Sequence, residues 1–299
     1  MEDSWEGGVK VMVVCEHVNA GYDPETPVLR DFHSVLVGSY GLIGPSGAGK
    51  STLLKSLLGR VPYLTGTIYV DGILLTRQPR EIARLFSYVP QDNGVPGLLT
   101  LGEYLTEIAR LAGFSSRVAA HRTRWAADAV NLASEWHRRL GGFSGGMKRR
   151  ALIAAALVRE TPWLLLDEPS LGLDPAEQDT LYRLIGQLKH ERRIILATQV
   201  VDDLEPLDRI GILVDGAIRH EVSWDDLVDA VKGHVYRTRE LPPPSRLADI
   251  LWSPMPGGWI KVISAHPEAH WEPWPATPQD GYLWIVRTIR QEARYGLAY

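Results

Sequence analysis

The run Gly44-Pro45-Ser46-Gly47-Ala48-Gly49-Lys50-Ser51 restricts the possible folds of this chain more than any other stretch. It fits G-x-x-x-x-G-K-[ST] at every fixed position. The strand-like Tyr40–Ile43 precedes it, and an amphipathic helical pattern from Ser51 to Leu58 follows. In a strand, glycine-rich turn and helix arranged this way, the glycines let the loop curl until backbone N–H groups converge on phosphate oxygens. The helix N-terminus adds the positive end of its dipole. Lys50 can then bridge β- and γ-phosphates, and the Ser51 hydroxyl can ligate Mg²⁺. The expected ligand is ATP with Mg²⁺.

A second feature suits the same chemistry. Leu164-Leu165-Leu166-Asp167-Glu168-Pro169 is an apolar strand that ends in two carboxylates. An Asp at the end of a buried strand beside a phosphate loop can hold Mg²⁺. The next carboxylate, Glu168, can orient and deprotonate an attacking water. Between Val9 and Val214 the chain alternates strand-like and helical segments. Strands are expected at Lys10–Val14, Ser39–Ile43, Thr67–Val70, Leu85–Val89, Trp163–Leu166, Ile194–Thr198 and Ile210–Val214. Helices are expected from Lys50, Leu101, Ser144, Ala176 and Val201. The alternation predicts an α/β fold with a largely parallel sheet. Leu98–Leu140, rich in Ala and Arg without a strand pattern, reads as a helical insertion.

Composition closes off other classes. The 299 residues, 45% hydrophobic and 23% charged, are enough for a buried core. A net charge of -4 argues against a nucleic-acid partner. The single cysteine, Cys15, cannot form an internal disulfide framework; a reducing compartment and a small buried hydrophobe are the natural readings. The acidic start lacks the pattern of a signal peptide. The apolar run Ala151–Val158 is far short of the ~20 residues that cross a bilayer, so for work at a membrane another chain would have to supply the spanning part.

With these motifs in place, the sequence resembles the ATP-binding cassette subunits of ABC transporters over about Val9 to Gly216. Phe143-Ser144-Gly145-Gly146-Met147-Lys148-Arg149-Arg150 is similar to the family's signature motif, in a spelling that resembles subunits of the ABC-2 type, many of them drug or antibiotic exporters. Asp167 to Pro175 resembles the Walker B and D-loop run, and Val89-Pro90-Gln91-Asp92 the Q-loop. Tyr22 matches the aromatic that stacks on adenine. The resemblance implies a P-loop NTPase core with a mainly parallel sheet, an antiparallel β edge, a helical insertion (about 92–158) and a small C-terminal accessory region. It implies an ATP-binding domain over 1–233 and the accessory region over 234–299. It implies nucleotide contacts from Tyr22, from Gly44 through Thr52, from Gln91, and from Ser144, Gly145, Gly146 and Met147. The implied metal ligands are Ser51, Gln91 and Asp167. The implied partners are a second cassette paired head to tail, so that each ATP lies between one P-loop and the opposite signature motif, and a membrane-spanning permease. The implied location is cytoplasmic, on the inner face of the cell membrane. Lys148-Arg149-Arg150 reads as largely a solvated helix face.

One position departs from the family. Where it places His after the strand that follows Walker B, this chain has Thr198-Gln199. Glutamine can donate a hydrogen bond but carries no positive charge. The resemblance therefore implies Glu168 and Gln199 as the catalytic pair, with slower hydrolysis than usual. A degenerate regulatory cassette and a non-transport ABC ATPase are the alternatives. Beyond Pro242 the likeness thins. Leu241-Pro242-Pro243-Pro244-Ser245 reads as a connector. Strand-like pieces follow at Trp259–Ser264 and Tyr282–Thr288. Packing in a small domain is the expected role of Trp252, Trp259, Trp271, Trp274 and Trp284, ahead of a base-stacking surface.

Overall fold

The structure is a computed structural model that describes residues 12–75, 78–240, 242–247 and 249–294. The sequence expectations for Lys10, Val11 and Leu241 lie outside these residues. The chain forms two compact units, Met1–Ile218 and Arg219–Tyr299.

In chain order the first unit holds β1 (Met12–Gly21), β2 (Leu29–Val37), β3 (Tyr40–Ile43), α1 (Lys50–Leu57), β4 (Tyr63–Val70), β5 (Ile73–Leu74), α2 (Pro79–Leu85) and β6 (Phe86–Val89). It continues through α3 (Leu101–Leu111), α4 (Ser116–Ala129), α5 (Gly145–Val158), β7 (Trp163–Asp167), α6 (Pro175–Leu188), β8 (Arg193–Thr198) and β9 (Arg209–Val214). The division between the units falls in β10 (Ala217–Val222).

Strands β9, β3, β8, β7 and β6 are neighbours in that order, and every pair among them is parallel. β7 is buried at all five positions, which is why it is apolar throughout instead of alternating. A second, antiparallel sheet has the order β2-β1-β4-β5. One core joins the two sheets around α1. Val13, Cys15 and Val18 of β1, Leu29, Phe32 and Leu36 of β2, and Leu53, Leu54 and Leu57 of α1 meet Leu42, Trp163 and Leu165 there. Each fully buried leucine contributes about 1.5–3 kcal/mol. Cys15 is part of this core, and burial pushes its thiol up to about 12.

The insertion is helical. Thr100 caps α3 in a reciprocal box with Glu103, at 3.2 and 2.8 Å. Helix α5 buries all of Ala151–Val158, so the longest apolar run is a core helix. Val201 opens only a 3₁₀ turn, Val201–Leu204. Asp202, Asp203 and Glu205 give that turn no apolar stripe, and Pro206 follows at once.

The second unit contains α7 (Trp224–Asp229), β11 (Val235–Thr238), α8 (Pro244–Leu247), β12 (Leu251–Met255), β13 (Trp259–Ile263), β14 (Glu272–Pro273) and α9 (Pro278–Arg294), with a sheet of order β12-β13-β11-β14. Tyr282–Thr288 lies in α9 and not in a strand. Thr277 and Asp280 exchange hydrogen bonds at the start of α9. Tyr282, Ile285 and Val286 are then buried at helical spacing. Trp271 is buried, and Trp274 and Trp284 pack on Val231, Val235 and Ile263. Arg237 and Arg239 flank the Trp259 ring at 4.3 and 4.5 Å, while Trp252 is exposed.

Candidate nucleotide site

In an open parallel sheet, ligands collect beyond the carboxyl ends of the strands. Four of this chain's motifs sit there, on strands that run β3, β8, β7, β6 across the sheet. The phosphate loop follows β3, Gln199 follows β8, Glu168 follows β7, and Gln91 comes two residues after β6. Neighbouring strands lie about 4.8 Å apart, so this topology alone brings residues far apart in sequence into one neighbourhood. They line a cleft of about 290 Å³ formed by Tyr22, Val28, Ser46 to Thr52, Gln91, Glu168 and Gln199. Gly44 and Pro45 are the base of its loop.

Gly49 is the N-terminal cap of α1 at φ 108, a conformation that a side chain would strain. From there Lys50 is buried, and its Nζ donates to the Gly44 and Pro45 carbonyls at 2.7 and 3.2 Å. Burial lowers its pKa, against the pull of Glu168 and then Asp167. Ser51 Oγ donates to Asp167 Oδ1 at 2.9 Å, and the Tyr88 hydroxyl donates to Asp167 Oδ2 at 3.1 Å. Burial holds the Asp167 carboxyl above its ordinary range, while these two hydrogen bonds oppose the rise. The Ser51 and Asp167 oxygens thus meet beside the loop, a hard donor pair of the kind Mg²⁺ takes.

Glu168 is held in an unusual conformation. Its φ is 50, in the left-handed region, and its N–H donates to the Ala197 carbonyl at 2.7 Å. Its carboxylate accepts from the Gln199 backbone N–H at 3.1 Å and from the Gln199 side-chain amide at 3.2 Å. Gln199 therefore holds the Glu168 side chain from two points. Tyr22, 57% exposed, stands at the mouth of the cleft with its hydroxyl 3.3 Å from Lys55 Nζ.

Sequence reasoning misplaced Arg149. It is fully buried, not part of a solvated face. Its guanidinium donates to the carbonyls of Pro169 at 3.0 Å, Asp167 at 2.5 Å, Glu168 at 2.6 Å and Gln91 at 3.4 Å, and closely to that of Pro90. It ties the end of β7 to the Gln91 loop. Lys148 and Arg150 are only partly buried, and Arg150 pairs with Glu177 at 2.8 Å. Sequence reasoning also missed Asp203. Fully buried, it accepts from Thr198 at 2.5 Å and from Ser170 and Tyr182 at 2.9 Å each. It thereby connects the residue before Gln199 to the turn after Glu168. Burial raises its pKa, against those three hydrogen bonds. Asp202 and Glu205 beside it are acidic too, so no local sequence signal singles it out.

The signature residues stand apart from this cleft. Ser144 caps α5, accepting from the Met147 N–H at 3.2 Å. Ser144 and Gly145 are exposed and Gly146 is buried. None of Ser144 to Met147 lines the cleft that Lys50 and Glu168 share.

The profile of the family described as ABC transporter matches residues 38–171. The linearmycin resistance ATP-binding protein LnrL of Bacillus subtilis is 32% identical over 69% of this chain and 67% of its own length. The Nod factor export ATP-binding protein I of Burkholderia orbicola is 34% identical over 73% of each chain. A solved ATP-binding subunit of an ABC transporter superimposes over 73% of this chain and 92% of its own with a TM-score of 0.63 and 29% identity. Three of the curated relatives are matched over 62%, 67% and 61% of their length, so this chain spans about two thirds of such proteins. Identities of 32% and 34% over two thirds or more of the length of these relatives make this chain a member of the ABC transporter ATP-binding family.

Proposed function

We propose that this chain is the ATP-hydrolysing subunit of an ABC-type exporter and works as one of two cassettes beside a membrane-spanning permease. The observation that carries this reading is the convergence of Lys50, Ser51, Glu168 and Gln199 on one cleft, with Asp167 hydrogen-bonded to Ser51. The phosphate loop's N–H groups and Lys50 bind the ATP phosphates, and Lys50 exchanges its loop carbonyls for them. Ser51 and Asp167, with the amide of Gln91 lining the same cleft, fit Mg²⁺. That ion, when bound, neutralises charge on the β- and γ-phosphates. Glu168 accepts the proton of the attacking water, and Gln199 keeps its carboxylate from swinging away.

The exposed Ser144 and Gly145, at the N-terminus of a 14-residue helix, supply N–H groups for the γ-phosphate held by a second cassette. Hydrolysis then removes the link between the halves. The permease supplies the membrane crossing. Among the described residues, no helix is long and apolar enough to span a bilayer. In this reading the chain docks on its permease at the inner face of the membrane. Export is favoured by the relatives whose names refer to linearmycin resistance and Nod factor export. The net charge of -4 gives no support to a nucleic-acid partner.

Steady-state ATP hydrolysis by the chain, alone and with its permease, tests this. Glu168→Gln is expected to lower kcat by at least about 100-fold while ATP still binds. Wild-type turnover no faster than that of Glu168→Gln in both settings overturns the reading.

A further inference from the structure

Among the described residues, one cluster of metal-ligating side chains outside the nucleotide cleft is brought together by the fold. We propose that His17, Asp31 and His33, on the antiparallel sheet of the first unit, bind one divalent transition-metal ion, of which Zn²⁺ is the type.

The cluster is built by an irregularity between β1 and β2. Their pairing register jumps between Cys15 and Val18 and again before Ala20. At the jump, His17 has φ 49, and Asp31 on the facing strand has φ 46. Both are left-handed conformations that a regular strand does not contain. Asn19 holds the two in place. Its Oδ1 accepts from the Asp31 N–H at 2.9 Å, and its Nδ2 donates to the His17 carbonyl at 3.3 Å. Gly66 of β4 lies so close to that carbonyl that a Cβ there would collide with it. The backbone under two of the three residues is therefore fixed.

The side chains then converge. His17 Nδ1 is 2.8 Å from Asp31 Oδ1, and the His17 and His33 rings meet edge to face with centroids 4.2 Å apart. One ligand atom from each of the three lies within 4.8 Å of the other two. In a tetrahedral shell with bonds of about 2 Å, ligand atoms stand roughly 3.3 Å apart. Rotation of exposed side chains covers the difference without moving the backbone. The nearest basic residue in sequence, Arg30, turns its Nε to the Pro27 carbonyl.

Two imidazoles and one carboxylate select Zn²⁺, Ni²⁺ or Cu²⁺ over Mg²⁺. That preference separates this site from the oxygen-only pair at Ser51 and Asp167. The high exposure of His17 and Asp31, 73% and 72% for their side chains, leaves room for water to complete the coordination.

Calorimetric titration of Zn²⁺ into the nucleotide-free full chain, in excess Mg²⁺ to occupy oxygen sites, tests the proposal. One equivalent is expected to bind. His17→Ala and His33→Ala are each expected to weaken that binding by about 10-fold or more. Because all three side chains are exposed, the melting temperatures of these variants in a chelator should match wild type. Binding that is as tight in the His17→Ala/His33→Ala double variant as in wild type overturns the proposal. So does loss of the Zn²⁺ equivalent in Asp167→Asn with retention in His33→Ala.

Discussion

The side-chain amide of Gln199 stands 3.2 Å from Glu168 Oε1, and the backbone N–H of the same residue stands 3.1 Å from Oε2. The residue that stands where the family has histidine thus holds the Glu168 carboxylate from two points. A hydrogen bond to a charged group is worth about 1.5–3 kcal/mol. Gln199→Ala keeps the backbone bond and loses the side-chain one, so it is expected to lower kcat by about 10- to 100-fold with little change in KM. Gln199→His restores a group that can carry positive charge and is expected to raise kcat above wild type. Turnover that does not change on Gln199→His would refute the idea that glutamine slows this site.

Arg149 links the end of β7 to the loop that carries Gln91. Its guanidinium is fully buried and reaches five carbonyls between Pro90 and Pro169. Arg149→Met fills the volume but leaves those acceptors without a donor. A buried acceptor left without its donor costs about 1–3 kcal/mol. The expected result is a lower denaturant midpoint for Arg149→Met and partial recovery in Arg149→Lys, which keeps three donors. A midpoint for Arg149→Met equal to that of wild type would show that the network does not stabilise the fold.

Cys15 gives a clean probe of the core between the two sheets of the first unit. Its thiol is pushed up to about 12 by burial, and the thiolate is the reactive form. Iodoacetamide at mildly alkaline pH is expected to leave the native chain unmodified and to label it fully once denatured. Labelling of the native chain as fast as of the denatured chain would contradict the packing of β1 described above.

Much of the fold was legible because its signals are local. The phosphate loop carries its own strand and helix, the Thr100–Glu103 box marks the start of α3, and Leu164–Asp167 announces a buried strand. What escaped depends on distant partners. Arg149 looks solvated within a run of three basic residues, and only the fold puts carbonyls 18 to 59 positions away around it. Strand β2 was missed because the bulge at Asp31 interrupts its alternation. In Tyr282–Thr288 the aromatic and β-branched residues suggested a strand, yet the Thr277–Asp280 start signal and helical burial won. At the site, the residue types at Lys50, Asp167 and Glu168 were readable, but the contact from Gln199 to Glu168 was not. It requires knowing that β7 and β8 are neighbours.

Asp203 makes the stability of this core depend on pH in a stated direction. It is fully buried and its pKa is raised by burial, with the Thr198, Ser170 and Tyr182 hydrogen bonds limiting the rise. Because the folded pKa lies above the unfolded one, the native state binds the extra proton. Stability from this group is present at low pH and is lost as pH rises through the folded pKa. Tyr182→Phe removes one of the three donors to the ionised form, so it raises the folded pKa further. The variant should be destabilised by about 1–2 kcal/mol where Asp203 is ionised, because the ionised carboxylate gains most from each donor. The penalty should shrink as pH falls and the carboxyl is protonated in both proteins. Denaturant midpoints of wild type and Tyr182→Phe at neutral pH and near pH 4 measure the difference directly. An equal penalty at both values would mean that the Tyr182 hydroxyl contributes only packing, and that Asp203 keeps one protonation state across the whole range.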